Sequence, residues 1–213
     1  MYKYLTILAL ALFAFTACQT NTTTTDQPDN DPSEVPQPAV NLDTEDDGVI
    51  RGENYEVIVI DGTIKSPRKE LTGTVGDVPV SINYGSPSVN KRTIYGDLVP
   101  YEKVWRTGAN EATRITFKEP VMVGTEGKKL DAGTYALFTK PMDRNNWTII
   151  FNKNADQWGA YDYDEKDDVA MIKGTAMDID AAAEHMDFAV EEDKVMLKWA
   201  DLAVAFPVKK AAK

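Results

Sequence analysis

From residue 56 onward, apolar and polar positions alternate with a period of two. Every second residue is apolar in segment 78–84, the same pattern recurs in 115–117 and 135–139, and 147–151 is a run of aromatic and β-branched residues. Such alternation is typical of strands that bury one face, and these residue types favour strands. The pattern therefore predicts an all-β domain, an antiparallel β-sandwich or a flattened barrel.

The end of the chain carries the clearest hairpin signal. Phe188 and Val190 lead into the polar segment 191–194, and alternation then returns through 195–208. Two alternating runs around a short polar turn predict two paired strands. Helix is expected to be minimal, with one helical turn at 180–186, and the chain has no internal repeat.

One segment, residues 85–110, interrupts the strand pattern. Structureless loops longer than about 12–15 residues are uncommon in compact domains, and they are usually functional or disordered. This segment contains Ile94, Val99 and Trp105 among other apolar residues, so its composition is not that of a disordered segment. We expect an ordered loop that is held to the domain by its apolar residues. Its polar residues would then be fixed in place, as recognition requires.

The first seventeen residues predict an export signal. Lys3 precedes an uncharged run over 5–15, which is too short to span a bilayer because spanning takes roughly 20 residues. Residues 15–18, Phe-Thr-Ala-Cys, resemble the lipobox of bacterial lipoproteins, although Phe15 departs from the usual Leu. The resemblance implies acylation of Cys18 and anchoring to a membrane; the alternative is an ordinary signal peptide. Cys18 is the only cysteine, so an internal disulfide is excluded.

Residues 18–55 predict a tether and residues 56–213 the folded domain. The tether is rich in Thr, Asp, Asn and Pro, and it carries nine acidic side chains against one basic one. Such a segment buries too little apolar surface to fold. The formal net charge of −11 therefore lies mostly outside the domain, which holds 25 acidic and 21 basic side chains. A mildly acidic domain makes nucleic acid an unsuitable partner.

The residues after Cys18 suggest a location. Position 19 is Gln rather than Asp, and by resemblance to Gram-negative sorting this favours the outer membrane. No acidic residue lies within 19–23. An early acidic cluster promotes surface display in Bacteroidota-type lipoproteins, so its absence favours the periplasmic face.

The best candidate site is the segment 106–111. Arg106 offers five donors in a planar fork, Asn110 a donor and an acceptor, and Glu111 a carboxylate, while Gly108 permits a tight turn. One interpretation is a polar pocket for a carboxylate, a phosphate or sugar hydroxyls. The other, slightly favoured, is an Arg106–Glu111 ion pair that fixes the long loop to the next strand.

Two aromatic groups extend this candidate site. In the long loop, a basic and aromatic rim would be formed by Lys91, Arg92, Tyr95 and Tyr101, next to the ligand-binding candidate Trp105. The alternative for each rim residue is a surface side chain that covers apolar atoms. A second cluster, with Trp158 and Tyr161, would stack on sugar rings if exposed; the favoured interpretation is a bulged strand whose aromatic residues fill the core. No catalytic residue, cofactor or metal ligand is assigned. The acidic run 162–168 lacks the spacing of a calcium loop, and His185 is the only histidine.

The long motif SPSVNKRTIYGDLVPYEKVWRTGANEATRITF, followed by LDAGTYALFTKP and WTIIFNKNADQWGAYDYD, resembles domain-of-unknown-function family 2911. The similarity covers about residues 65–208. It implies a β fold and an exported protein of the kind common in Bacteroidota, and it implies no activity.

Together these features predict a periplasm-facing lipoprotein whose β domain is a binding or assembly module. Its ligand would be an envelope glycan, an anionic small molecule or a protein. Two alternatives stay open: a hydrolase of envelope glycans with a two-carboxylate site, and a purely structural envelope protein.

Overall fold

The computed structural model describes residues 48–212. Cys18, the predicted signal peptide and most of the predicted tether lie outside these residues. Within the described part, no helix is long and apolar enough to cross a membrane.

Strands make up most of the described chain. They are β1 (Ile50–Arg51), β2 (Tyr55–Asp61), β3 (Arg68–Val75), β4 (Val78–Gly85), β5 (Thr113–Phe117), β6 (Val121–Val123), β7 (Lys128–Leu130), β8 (Gly133–Pro141), β9 (Asn146–Asn152), β10 (Asp168–Glu191) and β11 (Lys194–Lys210). One 3₁₀ turn, Glu165–Asp167, precedes β10. The strands form one sheet in the order β1-β2-β3-β4-β5-β8-β9-β10-β11-β6-β7.

Every pairing in this sheet is antiparallel. The sheet is open, with β1 and β7 as its edges. The predicted all-β, antiparallel class is thus confirmed. The predicted hairpin at 188–208 is also present, since β10 and β11 pair up to Glu191 and Lys194.

The long strand β10 brings the two halves of the sheet face to face. Its first part pairs with β9, and its last part packs over β3 and β4. There the Tyr84 and Phe188 rings meet edge to face at 5.0 Å, and Lys69 Nζ lies 2.7 Å from Asp187 Oδ1. The main core, built from alternating residues of β3, β4, β5, β9, β10 and β11, lies between these halves, as in a sandwich.

Two local predictions are corrected. Residues 180–186 form no helical turn but belong to β10, where register shifts against β11 mark bulges. Ile50 and Arg51, inside the predicted tether, pair with Val57 and Glu56 of β2. The sheet therefore begins near residue 50 rather than at 56.

Candidate functional site

The long loop between β4 and β5 is attached to the sheet at both ends. Near its start, Val89 N donates to Glu184 O at 2.7 Å, which holds it to β10. Near its end, Trp105 and Thr139 of β8 exchange two backbone hydrogen bonds of 2.8 and 2.9 Å. In its middle, Ile94 and Val99 are buried in the main core. The loop is ordered and packed, as the sequence predicted.

The end of this loop is held in an unusual backbone conformation. Thr107 and Asn110 have φ values of 55° and 63°, in the left-handed region that β-branched Thr rarely adopts. Buried hydrogen bonds support Thr107: its carbonyl accepts from Thr113 Oγ1 at 2.7 Å, and its hydroxyl lies 3.2 Å from that of Thr139. Such strain clusters at functional sites, where surrounding contacts hold it in place.

This loop, the β2–β3 turn and β11 enclose a cleft of about 330 Å³, here called the loop cleft. Its lining residues are Lys65, Ser66, Pro87, Ser88, Arg92, Leu98, Trp105, Arg106, Gly108, Ala109, Asn110 and Trp199. Three of these are cations and, of the residues that the structure describes, none lining the cleft is acidic. The loop cleft is thus a basic site in a domain with an acidic balance.

Arg106 has no charged partner in this arrangement. Its Nε atom is enclosed without an acceptor, and no ion pair to its guanidinium is formed within residues 48–212. The predicted Arg106–Glu111 pair is wrong, because Glu111 Oε2 lies 3.4 Å from Nη1 of Arg68 instead. Arg68 is well buried, and burial lowers the pKa of its guanidinium, which the charge of Glu111 partly offsets.

Arg92 is fixed at the rim of the loop cleft by the backbone. Its Nε and Nη2 atoms donate to the carbonyls of Val89 and Ser88. Asn90 and Lys91 both have positive φ and form the tight turn that leads to it, closed by Arg92 N donating to Val89 O at 3.0 Å. Arg92 is therefore held in place through neutral carbonyls, and its charge is left without an anionic partner there.

Two tryptophans form an aromatic wall of the loop cleft. The Trp105 and Trp199 rings stack with centroids 5.9 Å apart and an interplanar angle of 18°. The Nε1 atom of Trp199 is buried and has no acceptor among the described residues. Buried donors without a partner are rare in native structures.

Tyr95 and Tyr101 line a neighbouring cleft of about 380 Å³, which Arg92 also lines. Tyr95 is engaged inside the fold: its hydroxyl donates to Trp199 O at 2.9 Å, and its ring meets Trp147 edge to face. Burial, and then the charge of Asp201, raises the pKa of Tyr95. Its role next to the loop cleft is to position the Trp199 backbone.

The second aromatic cluster lies on the loop between β9 and β10. Trp158 is 57% and Tyr161 84% exposed, so neither fills the core, and the favoured core-filling interpretation is wrong for both. The loop is clamped by the fully buried Asn152, which bonds to Asp164 O, Asp168, Asn154 N and Gln157 over 2.8–3.3 Å. The two exposed rings are thus presented on a fixed loop.

This second loop touches the loop cleft at Arg106. A Cβ placed on Gly159 would lie 3.7 Å from Arg106 Cδ and 3.3 Å from the Tyr161 ring. Glu111 and Trp158 form an isolated backbone bridge, and both line a small cleft of about 210 Å³. The structure therefore brings Arg92, Trp105, Arg106 and Asn110 together in one cleft. Tyr95 and Tyr101 line the neighbouring cleft, Glu111 and Trp158 line the small cleft, and Tyr161 is exposed on the second loop.

Sequence reasoning missed three residues of this region. Lys65 lies in the β2–β3 turn and Trp199 on β11, far from the long loop in the sequence. Arg68, on β3, is the true partner of Glu111. Alternation places Trp199 on the core face, but no local signal connects these residues to Arg106.

The acidic run before β10 has structural roles. Asp164 caps the 3₁₀ turn by accepting from Lys166 N at 3.0 Å. Asp168 accepts from Asn152 at 2.8 Å and from the Tyr163 hydroxyl at 2.6 Å. In residues 48–212 no cluster of three or more His, Cys, Asp or Glu side chains is arranged to hold a metal ion.

The fold and the cleft define an open antiparallel β domain with a basic, aromatic-walled cleft at its longest loop. A family model described as a protein of unknown function, DUF2911, matches residues 66–208. The chain belongs to this family. Neither a curated protein nor a solved structure was found to match it.

Proposed function

We propose that the domain is a binding module whose loop cleft takes an anionic ligand. The observation that carries the proposal is Arg106, a partly buried cation with an enclosed Nε that finds no acceptor in the fold. Cations removed from water are normally paired, because an unpaired buried charge costs free energy. An anion in the loop cleft would meet the guanidinium from the side that lines the cleft and supply a charge partner that the described residues do not.

The composition of the cleft agrees with this assignment. Lys65 and Arg92 add two positive charges, and the guanidinium fork of Arg106 suits the oxygens of a carboxylate or phosphate. A volume of about 330 Å³ lies at the lower end of ligand pockets. A two-carboxylate hydrolase would need two acids at the ligand, and the described lining of the loop cleft offers none.

A thermal-shift titration with anions tests the proposal, because a ligand that binds only the native state raises its stability. Inorganic phosphate, acetate and citrate should raise the unfolding midpoint of the wild type at constant ionic strength. Arg106→Met should abolish the rise, and Arg106→Lys should keep part of it. Lys129→Met, which removes an exposed cation on β7 that does not line the loop cleft, is the control. A rise that Arg106→Met leaves intact would contradict the proposal.

We also propose that the module is a lipoprotein, anchored through Cys18 at the periplasmic face of the outer membrane. The support is the lipobox-like segment 15–18 with the chain's only cysteine. Its partners would then be molecules of the cell envelope, a glycan or a protein. Cys18→Ser should move the protein from the membrane to the soluble fraction, and fractionation of the two variants measures this. Equal membrane retention would refute the anchor.

A further inference from the structure

The loop between β9 and β10 that exposes Trp158 and Tyr161, here called the aromatic loop, lies beside Arg106. It indicates which class of anion the site binds. We propose that the loop cleft and this aromatic loop bind one ligand, an acidic saccharide whose carboxylate meets Arg106 and whose neutral ring packs on Trp158 and Tyr161. This inference rests on the proposed anion-binding function of the loop cleft.

Contact between the two loops carries the first step. Gly159 lies between the two exposed aromatic residues in the sequence, and a Cβ at this position would touch Arg106 Cδ, at 3.7 Å. A ligand group that reaches the Arg106 guanidinium from the cleft is therefore next to the aromatic loop. Arg106 thus lies between the part of the site that would bind the ligand's carboxylate and the part that would contact its sugar ring.

The rigidity of the aromatic loop carries the second step. Ala112 N donates to Gln157 O at 3.1 Å, and the Asn152 network holds the loop from below. Because the rings of Trp158 and Tyr161 are exposed to solvent, they contribute little to the stability of the fold. They offer preformed contact area at a low entropic cost to a partner.

The polar groups around Trp158 carry the third step, because they distinguish a sugar from an aromatic acid. Glu111 and Asp156 line the small cleft at Trp158 together with Arg114. Arg114 pairs with Asp156 Oδ1 and Arg68 pairs with Glu111 Oε2, which leaves the other oxygen of each carboxylate without a partner among the described residues. A hydroxyl can donate to these oxygens whereas a carboxylate cannot, so a hydroxyl-bearing ring suits Trp158 better than a second anionic group.

The loop cleft itself suits the same ligand. Ser66, Ser88 and Asn110 supply hydroxyl and amide groups beside the cations. A pyranose presents an apolar C–H face to an aromatic ring and hydroxyls at its edge. An acidic saccharide of two to four residues joins both requirements in one molecule.

The test uses the full chain and isothermal titration with three probes. These are oligosaccharides of two to four residues that carry one terminal uronic acid on otherwise neutral galactose, neutral galactose oligosaccharides of the same lengths, and acetate. We expect the wild type to bind the acidic oligosaccharides more tightly than either comparison. Trp158→Ala and Tyr161→Ala should weaken that binding about three- to tenfold, since an aromatic contact of this kind contributes about that factor. Acetate binding should stay unchanged, and Trp158→Phe should restore most of the affinity.

Met177→Ala removes an exposed apolar side chain elsewhere on β10 and should change nothing. If Trp158→Ala and Tyr161→Ala leave oligosaccharide affinity unchanged, or if acetate binds as tightly as the oligosaccharides, the saccharide inference is overturned. Loss of acetate binding in Arg106→Met would still support the proposed anion site in that case. If no anion binds and Arg106→Met has no effect, the proposed function fails as well.

Discussion

Glu111 pairs with Arg68 rather than with Arg106, although Arg106 is only five residues away and Arg68 is 43. The β3–β4–β5 pairing brings Arg68 next to the start of β5, where its Nε also donates to Asn83 Oδ1 at 2.6 Å. The Glu111 carboxylate, which the sequence predicted as the partner of Arg106, is therefore paired with Arg68 instead.

A double-mutant cycle with urea unfolding checks this pairing. Arg68→Met and Glu111→Gln should show coupling of about 0.5–1 kcal/mol in the free energy of unfolding, because half of the Glu111 side chain is exposed. Arg106→Met and Glu111→Gln should show coupling near zero, and Arg106→Met alone should cost little stability. Stronger coupling of Glu111 to Arg106 than to Arg68 would refute both the pairing and the free charge of Arg106.

The Lys69–Asp187 pair should contribute more to stability than an exposed pair of the same length. Lys69 is buried, and Asp187 also accepts from the buried Tyr84 hydroxyl at 2.9 Å. Asp187→Ala leaves a buried ammonium unpaired, so we expect a loss of about 3 kcal/mol on urea unfolding. Asp156→Ala breaks the exposed 2.7 Å pair with Arg114 and should cost less than about 1 kcal/mol. Equal losses would show that the buried Lys69–Asp187 pair contributes no more to stability than the exposed pair.

Alkaline pH should destabilise the domain through its buried tyrosines. Burial first, and the charge of Asp187 second, raise the pKa of Tyr84 well above its usual value; burial likewise raises the pKa of Tyr95. The native state then keeps a proton that the unfolded chain loses at a pH of about 10. Their contribution is therefore complete below that pH and falls as pH rises above it.

Urea unfolding at pH 8 and at pH 11 measures this effect. We expect stability to fall between the two values by up to about 1.4 kcal/mol per tyrosine and per pH unit above 10. Tyr84→Phe should lower stability at pH 8, because Asp187 loses a donor, but should make the fall with pH shallower. A wild-type stability that is equal at both values would contradict the prediction.

Gly85 should be required for the shape of the loop cleft. A Cβ added there would lie 2.2 Å from Ala109 O, so Gly85→Ala has to displace the backbone that carries Ala109. We expect a cost of about 1–3 kcal/mol and weaker anion binding. Gly62→Ala is the control, because its Cβ would meet only Val59 Cγ1 at 3.5 Å. A Gly85→Ala variant with wild-type stability would show that Ala109 can move freely.

Local patterns predicted the elements that depend on local sequence. The run 147–151 became β9, and the apolar residues of the long loop are buried, because alternation and burial follow each residue's own chemistry. The sequence around 180–186 contains three consecutive alanines, which favour helix in isolation. Pairing of Ala183 with Ala200 of β11 overrides that preference, and the sequence alone does not reveal this contact.

The site was predicted in part for the same reason. Arg106, Asn110, Trp105 and Arg92 belong to one loop, so their proximity could be inferred. Lys65 reaches the same cleft from the β2–β3 turn and Trp199 from β11, both far from the long loop in the sequence, and strand pairing brings Arg68 to Glu111. Contacts between residues that are far apart in the sequence cannot be inferred from the spacing of residues along the chain.

Strand β10 is 24 residues long, and both halves of the sheet share it. One end completes the hydrogen bonding of β9, and the other covers β3 through Asp187 and β4 through Phe188. A protease that cut β10 between these ends would expose an unpaired edge on each fragment and remove the cover from the core. Resistance to proteases therefore depends on this strand staying intact, and the domain should be degraded all at once rather than trimmed piece by piece.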